Sequence, residues 1–388
     1  MIEYSPIPLR KFVAPEFLFG SGAISMLSRY IKNLGVKKIL LVTDLGIVKA
    51  GWVSVVEKQI KDSGISHVLF SGISPNPRDD EVMIGSEIYQ KESCDMIVAV
   101  GGGSPMDCAK GIGIVCINKK HISEFEGVDK IPLPGPPLVC IPTTSGTSAD
   151  ISQFSIILDS VRKVKMAIVS KILVPDAALI DPITLSTMDA KLTAETGMDA
   201  LVHAFEAYVS NASSPITDLN ALRAVELIRN NLVQMIKSGG KGEHADNMML
   251  GSLLAGLAFS NASLGIVHAM AHALGGFLDL SHGECNAILL EHAVNYNYES
   301  IPGKYNDLAK AMGIDINGMT YTQIKNALTE SIAELRYKSG IRHGFSELGL
   351  KKEEIPLLAE NALSDACIVT NPREAAKSDI EELYAAAF

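Results

Sequence analysis

The strongest constraint on how this 388-residue chain can fold is a change of hydrophobic period near Asp181-Pro182. Upstream, short apolar runs recur: KKILLVTD, SHVLFSGI, CDMIVAVGGG, PPLVCIPTT and DAALIDP. Helical patterns such as VSVVEKQIKDSG and VMIGSEIYQKES lie between several of them. Nearly continuous apolar strands separated by helices are what a parallel sheet covered on both faces requires. Downstream the rhythm stops. TAETGMDALVHAFEAYVS, TDLNALRAVELIRNNLVQMIK and YTQIKNALTESIAELRYKSG place apolar residues three and four apart, the period of a helix with one buried face. The chain therefore predicts an α/β half over 1–182, with a mostly parallel sheet, and an all-helical half over 183–388. No low-complexity linker separates them, so a cleft between packed halves is expected.

Within the helical half, Asp199 and His203 stand four residues apart and share one helix face. His268 and His272 repeat that spacing, and His282 follows beyond a Gly275-Gly276 break, so a helix and the turn after it are expected to meet the first pair. Asp199, His203, His268 and His282 offer three imidazoles and a carboxylate, with His272 beside them. That donor set suits Zn²⁺ or Fe²⁺ better than Ca²⁺ or Mg²⁺, which prefer oxygen alone. Any one such histidine is more often a hydrogen-bonded core residue; it is the group, set in strongly apolar sequence, that argues for an ion. The HExxH protease pattern is absent, because Ala269 stands where its glutamate would.

The strand Asp95 to Val100 runs into Gly101-Gly102-Gly103-Ser104-Pro105 and then a helical pattern. Ser104 is placed to cap that helix and Pro105 to fit its first turn, while the glycines let a pyrophosphate approach the amides at the positive helix end. Tight strand-to-helix packing is the alternative use of such a turn. Asp44 ends KKILLVTD, where a carboxylate accepts from ribose hydroxyls and repels a 2′-phosphate, favouring NAD over NADP; a simple strand-end cap is the competing role. Thr143, Thr144 and Thr147, in the loop after LVCI, supply hydroxyls at the same sheet edge unless that loop is merely polar. Together these features predict a Rossmann-like dinucleotide-binding sheet, although the acidic strand end precedes the glycine turn and the pattern is not the usual GxGxxG fingerprint.

A formal charge of −10 without a basic cluster argues against nucleic acid or an anionic membrane as partner. Small molecules are the expected ligands. Six cysteines (94, 108, 116, 140, 285 and 367) are scattered without a CxxC, which predicts reduced thiols and a cytoplasmic setting. MIEYSPIPLRKF lacks the layout of a signal peptide. The apolar stretch from Met248 to Leu280 is long enough to span a bilayer but contains Asn261, His268 and His272, so a buried helix pair is predicted.

These segments are similar to those of the iron-containing (group III) alcohol dehydrogenases. The resemblance rests on GGGSPMDCAK at 101–110, PTTSGTS at 142–148, KMAIVS at 165–170, PDAALIDP at 175–182, ETGMDALVHAFEAYVS at 195–210, SLGIVHAMAHALGG at 263–276, HGECNAILL at 282–290 and TNPR at 370–373. It implies the dehydroquinate synthase-like architecture, with a dinucleotide-binding domain followed by a helical domain. It also implies metal ligands at Asp199, His203, His268 and His282, and a non-ligand histidine near the reacting carbon at His272. Cofactor positions are implied at Asp44, Asn76, Gly102, Gly103, Ser104, Asp107, Thr143, Thr144, Thr147 and Lys165. Asn76, Asp107 and Lys165 rest on the resemblance alone. One departure stands out: many members read GTGSE where this chain has Gly146-Thr147-Ser148-Ala149-Asp150, which shortens the carboxylate by a methylene.

The resemblance implies a homo-oligomeric, NAD(H)-dependent alcohol dehydrogenase or aldehyde reductase, using Fe²⁺ or Zn²⁺ on small primary alcohols or diols. Glycerol, 1,3-propanediol and lactaldehyde activities belong to the same fold, as does long-chain alcohol oxidation. A dehydroquinate synthase-type lyase would need arginines and lysines around the metal, which the motifs do not supply, and a non-enzymatic metal-binding protein would not need the glycine turn. Phe154, Phe259 and Cys367 are candidate pocket walls.

Overall fold

The computed structural model describes residues 9–388; the first eight residues, most of the segment read for a leader, lie outside the described residues. The strands are β1 (Glu16–Phe19), β2 (Lys38–Val42), β3 (Ser66–Phe70), β4 (Met96–Gly101), β5 (Gly127–Val128), β6 (Leu138–Pro142), β7 (Phe154–Asp159), β8 (Val164–Val169) and β9 (Ala177–Ile180). Helices α1 (Leu27–Asn33), α2 (Leu45–Ala50), α3 (Trp52–Asp62), α4 (Asp79–Lys91) and α5 (Gly103–Asn118) alternate with them. After the last strand come α6 (Ala190–Val209), α7 (Pro215–Ser238), α8 (Glu243–Ala262), α9 (Ile266–Leu278) and α10 (His282–Asn297). The chain ends in α11 (Pro302–Ala311), α12 (Tyr321–Ser339), α13 (Ile355–Leu363) and α14 (Lys377–Ala386).

Six strands form one sheet in the order β1-β9-β6-β4-β2-β3, every neighbouring pair parallel. Alternate residues feed two cores. Leu40, Val42, Ile97, Ala99 and Cys140 face one layer, and Ile39, Leu41, Val98, Val100, Val139 and Ile141 face the other. Burial on both faces explains why these strands read as continuous apolar runs rather than alternating ones. The expected α/β half followed by helices is the fold the chain adopts, and the five runs read as strands are β2, β3, β4, β6 and β9.

The sequence did not signal β1 or the second sheet. β1 is four residues long and partly exposed at the sheet edge, so neither length nor burial marks it. In the second sheet β7 and β8 pair antiparallel, Leu158 opposite Lys165, and β5 lies parallel to β8. This sheet carries Phe154 and Lys165 to the cleft.

In the helical half, α8 and α9 meet at 99° across a short break and are mostly buried. No single helix among the described residues is long and apolar enough to cross a membrane. Gly275-Gly276 does not break α9, contrary to the sequence reading. A Cβ on Gly276 would lie 3.0 Å from the Lys163 carbonyl oxygen, and one on Gly275 would lie 3.2 Å from Lys165 Nζ. The two glycines let the helix press against β8, which joins the two halves of the chain.

Candidate metal and cofactor cleft

Asp189 caps α6 by accepting from the Leu192 amide, and the helix carries Asp199 and His203 on one buried face. His268 and His272 share a face of α9. His282 opens α10 instead of sitting in a turn, because the chain reverses at Asp279 (φ 55°) and resumes helix three residues later. Three helices therefore converge where the sequence suggested one helix pair.

Asp199, His268 and His282 each offer a ligand atom, and these atoms lie within 4.8 Å of one another. Asp199 Oδ1 is 3.8 Å from both His268 Nε2 and His282 Nε2. His203 stands beside the trio, stacked on His268 with ring centroids 4.6 Å apart. Its Nδ1, 3.9 Å from Asp199 Oδ2, is buried without a hydrogen-bond partner. An orphaned buried nitrogen beside a buried carboxylate is costly unless something else, such as a cation, satisfies it. Burial first, and neighbouring imidazoles second, hold His268 well below the usual histidine range. Burial and the nearby Lys165 do the same to His282. Neutral imidazoles with free lone pairs are what a divalent cation needs.

The surroundings fix these rings. His268 Nδ1 lies 2.6 Å from Glu206 Oε2, so the ring presents Nε2 to Asp199. Glu206 also accepts from the amides of Gly265 and Val267 at the start of α9. Burial pushes its carboxyl up to about 7, against the pull of those amides. Asn371, in the TNPR segment, accepts from the Ile266 amide and pairs with Asn297. His272 is committed elsewhere: its Nδ1 is 2.9 Å from Asp365 Oδ2. That contact separates His272 from the Asp199 group while leaving it in the same cavity.

The loops after β2, β3, β4 and β6 emerge at the carboxyl edge of the parallel strands, where open α/β sheets take their ligands. They carry Asp44, Asn76, the glycine turn and Thr143 to Thr147 in adjacent positions. Gly102 is the N-cap of α5 and Gly103 its first residue, so Ser104 lies inside the helix and does not cap it; its hydroxyl donates to the Pro75 carbonyl instead. A Cβ on Gly102 would lie 3.2 Å from Thr144 Cγ2, and one on Gly103 would lie 2.9 Å from Thr147 Cγ2. The glycines keep this cradle shallow and the first amides of α5 open. Asp44 does cap α2, through Oδ1 and the Ile47 amide, so the strand-end role is real. Thr143 is buried under the turn, its amide bonded to the Gly101 carbonyl and its hydroxyl without a partner.

One cavity of about 110 Å³ joins the two sets. Asn76, Gly103, Ser104, Asp107, Thr147 and Lys165 line it together with Asp199, His203, His268, His272 and His282. Asp44, Gly102, Thr143 and Thr144 do not line it; they lie further along the strand ends. Asn76 donates to Asp279 across the cleft mouth at 2.7 Å. Burial pushes Asp107 up to about 6, although Lys110 and Lys165 pull it down. Phe154 and Phe259 are walls, Phe259 stacking on His203 at 4.3 Å. Cys367 is not a wall: it is buried, and its amide donates to Asp365. Asp150, the shortened carboxylate of the 146–150 loop, is buried outside the cavity.

Glu206, Asn286 and Asp365 were missed from sequence. Glu206 and Asn286 each follow a histidine of the candidate cluster by three or four residues on the same helix, a signal that periodicity alone assigns to core. Asp365 lies 93 residues from His272, and no local pattern announces it.

Residues 14–182 match the family described as iron-containing alcohol dehydrogenase, and residues 193–388 match its C-terminal domain. The 1,3-propanediol dehydrogenase of Citrobacter freundii is 42% identical over 372 residues, covering 95% of this chain and 96% of that protein. The NAD-dependent methanol dehydrogenase of Bacillus methanolicus is 35% identical, covering 96% and 98%. A crystal structure of 1,3-propanediol oxidoreductase superimposes with a TM-score of 0.95 at 39% identity, covering 98% of this chain and 100% of that one.

Proposed function

The chain belongs to the iron-containing alcohol dehydrogenase family, and from that premise we propose that its cleft holds NAD(H) along the strand ends and a divalent ion at Asp199, His203, His268 and His282. It is an oxidoreductase acting on small alcohols and aldehydes. The observation that carries the site assignment is the single cavity shared by the histidine cluster and the glycine turn.

When bound, the ion supplies Lewis-acid polarisation of the alcohol or carbonyl oxygen and NAD supplies the hydride acceptor. The chain does the rest. Gly102, Gly103 and the open end of α5 receive the pyrophosphate, while Thr144 and Thr147 wall the cradle. Asp44 receives the adenosine ribose and disfavours a 2′-phosphate, which supports NAD over NADP. Asn76, Ser104, Asp107 and Lys165 bound the cavity where the nicotinamide end would lie. Thr143 contributes by holding the loop under the turn. Phe154, Phe259 and Leu264 exclude water from the substrate side. His272 carries the proton between substrate and solvent, with Asp365 fixing its Nδ1 side.

Fe²⁺ is the proposed ion, on the family's description; Zn²⁺ fits the same donors. A short primary alcohol suits a cavity of this size better than a long-chain one. Among the described residues Lys165 is the only lysine or arginine lining it, so a phosphate-bearing lyase substrate is not favoured. Six buried, unpaired cysteines support a reducing, cytoplasmic setting. We also propose a homo-oligomer, with the exposed edge of β1 available for pairing.

Anaerobic purification, elemental analysis and an NADH-coupled screen of short alcohols and aldehydes, with Fe²⁺ or Zn²⁺ restored, test this reading. Activity restored by one of the two ions is expected. No metal-supported turnover in either direction would overturn it.

A further inference from the structure

One turn after His282 on α10, Asn286 is fully buried. Its Nδ2 lies 2.7 Å from Asp199 Oδ1, 3.1 Å from His268 Nε2 and 3.1 Å from His282 Nε2. These three atoms belong to the trio whose ligand atoms cluster within 4.8 Å. We propose that Asn286 is a positioning residue of the metal centre: its amide takes up the ligand lone pairs when no ion is present and keeps hold of Asp199 when one is. The inference rests on the reading of that trio as a metal site.

A primary amide carries two N–H hydrogens, and here three acceptors surround the one nitrogen. No arrangement satisfies all three at once. The opposite orientation of the amide would set its oxygen against a carboxylate oxygen and two imidazole lone pairs, so the acceptors decide which way Asn286 points. Its Oδ1 is then left buried with no hydrogen-bond partner. A leucine of similar volume would carry no unsatisfied polar atom of its own, but it would leave Asp199 Oδ1 and the two imidazole nitrogens without this donor. The position holds a polar group whose nitrogen meets the same partners as a cation would.

The three acceptors differ in what they can share. Each imidazole Nε2 has one lone pair, which an ion would claim entirely. A carboxylate oxygen has more than one, so Asp199 Oδ1 can serve an ion and an amide together. On loading, Asn286 gives up the imidazoles and retains Asp199, which orients the carboxylate and spreads its charge. Partners of this kind commonly change metal affinity without touching the ion.

The test uses the whole protein made metal-free by chelation, with Asn286→Ala and Asn286→Leu beside the wild type. Zn²⁺ affinity is read by competition with a chromophoric chelator, and Co²⁺ loading is followed by its visible absorption. Zn²⁺ affinity is expected to fall by about 10- to 100-fold in both variants, with displaced Co²⁺ bands. Asn286→Leu keeps the volume but removes the donor, so its metal-free form is expected to melt below the metal-free wild type, and because its affinity is weaker its Tm is expected to rise less on loading than that of wild type. Affinity within twofold of wild type and unchanged Co²⁺ bands in whichever variant folds would overturn the proposal. A Tm loss of equal size with and without metal would also overturn it, leaving Asn286 a packing residue. Failure of the wild type to bind Zn²⁺ or Co²⁺ would instead refute the metal site itself.

Discussion

Glu206 Oε2 lies 2.6 Å from His268 Nδ1, and the same carboxylate accepts from the first amides of α9. One side chain from α6 therefore closes the start of α9 and fixes the ring of a proposed ligand. These two jobs predict two losses in Glu206→Ala. Unfolding free energy should fall by about 1–3 kcal/mol, because buried amides lose their acceptor. Metal affinity should fall by about 10-fold or more, because the ring is no longer oriented. Urea unfolding of the metal-free protein and chelator competition measure the two separately. A variant as stable as wild type would show that the amides find another acceptor.

His272 and Asp365 make a different prediction. Since His272 Nδ1 is engaged by Asp365, its loss should leave the ion in place and slow the proton transfer. Burial works against charge on Asp365, yet His272 and the Cys367 amide hold it below the usual carboxylate range. His272→Ala is expected to retain a full metal complement while kcat falls by about 100-fold or more. Asp365→Asn should give a smaller loss, since the imidazole remains but loses its charged partner. Elemental analysis beside steady-state kinetics decides the matter: metal lost together with activity in His272→Ala would make it a ligand.

Asp44 serves both as helix cap and as the proposed ribose partner, and one substitution separates the two. Asparagine caps helices as well as aspartate does, so Asp44→Asn should keep the bond from the Ile47 amide and change Tm little. The charge that repels a 2′-phosphate is gone. The ratio of kcat/KM for NAD to that for NADP is expected to fall by about 10-fold or more, in line with the ~1.4 kcal/mol or more that such a factor represents. An unchanged ratio would place the ribose elsewhere.

What could be read from sequence divides along physical lines. The central strands were legible because burial on both faces leaves an apolar run, and α7 and α12 because their buried residues recur three to four apart, whereas α6 and α9 are buried on every side. The pairs Asp199/His203 and His268/His272 could be placed on shared helix faces because i, i+4 spacing survives folding unchanged, whereas His282, expected in a turn, opens α10. Asn286 and Asp365 were not legible. Asn286 looks like one of several polar residues of α10 until its nitrogen is seen against Asp199, and Asp365 reaches His272 only through the packing of the 3-10 turn at Ala366–Thr370 on α9. The Gly275-Gly276 pair misled for a related reason. Glycine marks a break in sequence, but here it marks the close approach of β8, which only the tertiary fold supplies.

Asp150 gives the last prediction, one of pH. It is buried beside the cleft loop, and burial raises its carboxyl from 3.8 to about 6, partly offset by a backbone hydrogen bond and by Lys110. The unfolded chain releases this proton near 3.8, whereas the folded chain keeps it until about 6. Between those values the native state binds more protons than the unfolded one, so stability is fully present below the lower value and lost as pH rises through the higher. The shift corresponds to a loss on the order of 3 kcal/mol. Asparagine has nearly the same shape and never ionises, so Asp150→Asn should match wild type near pH 4 and exceed it by roughly that amount above pH 7. Urea unfolding of both proteins across pH 4–8 measures the difference. If the two curves stay parallel throughout, Asp150 is ionised in the folded protein and its charge is met by Lys110.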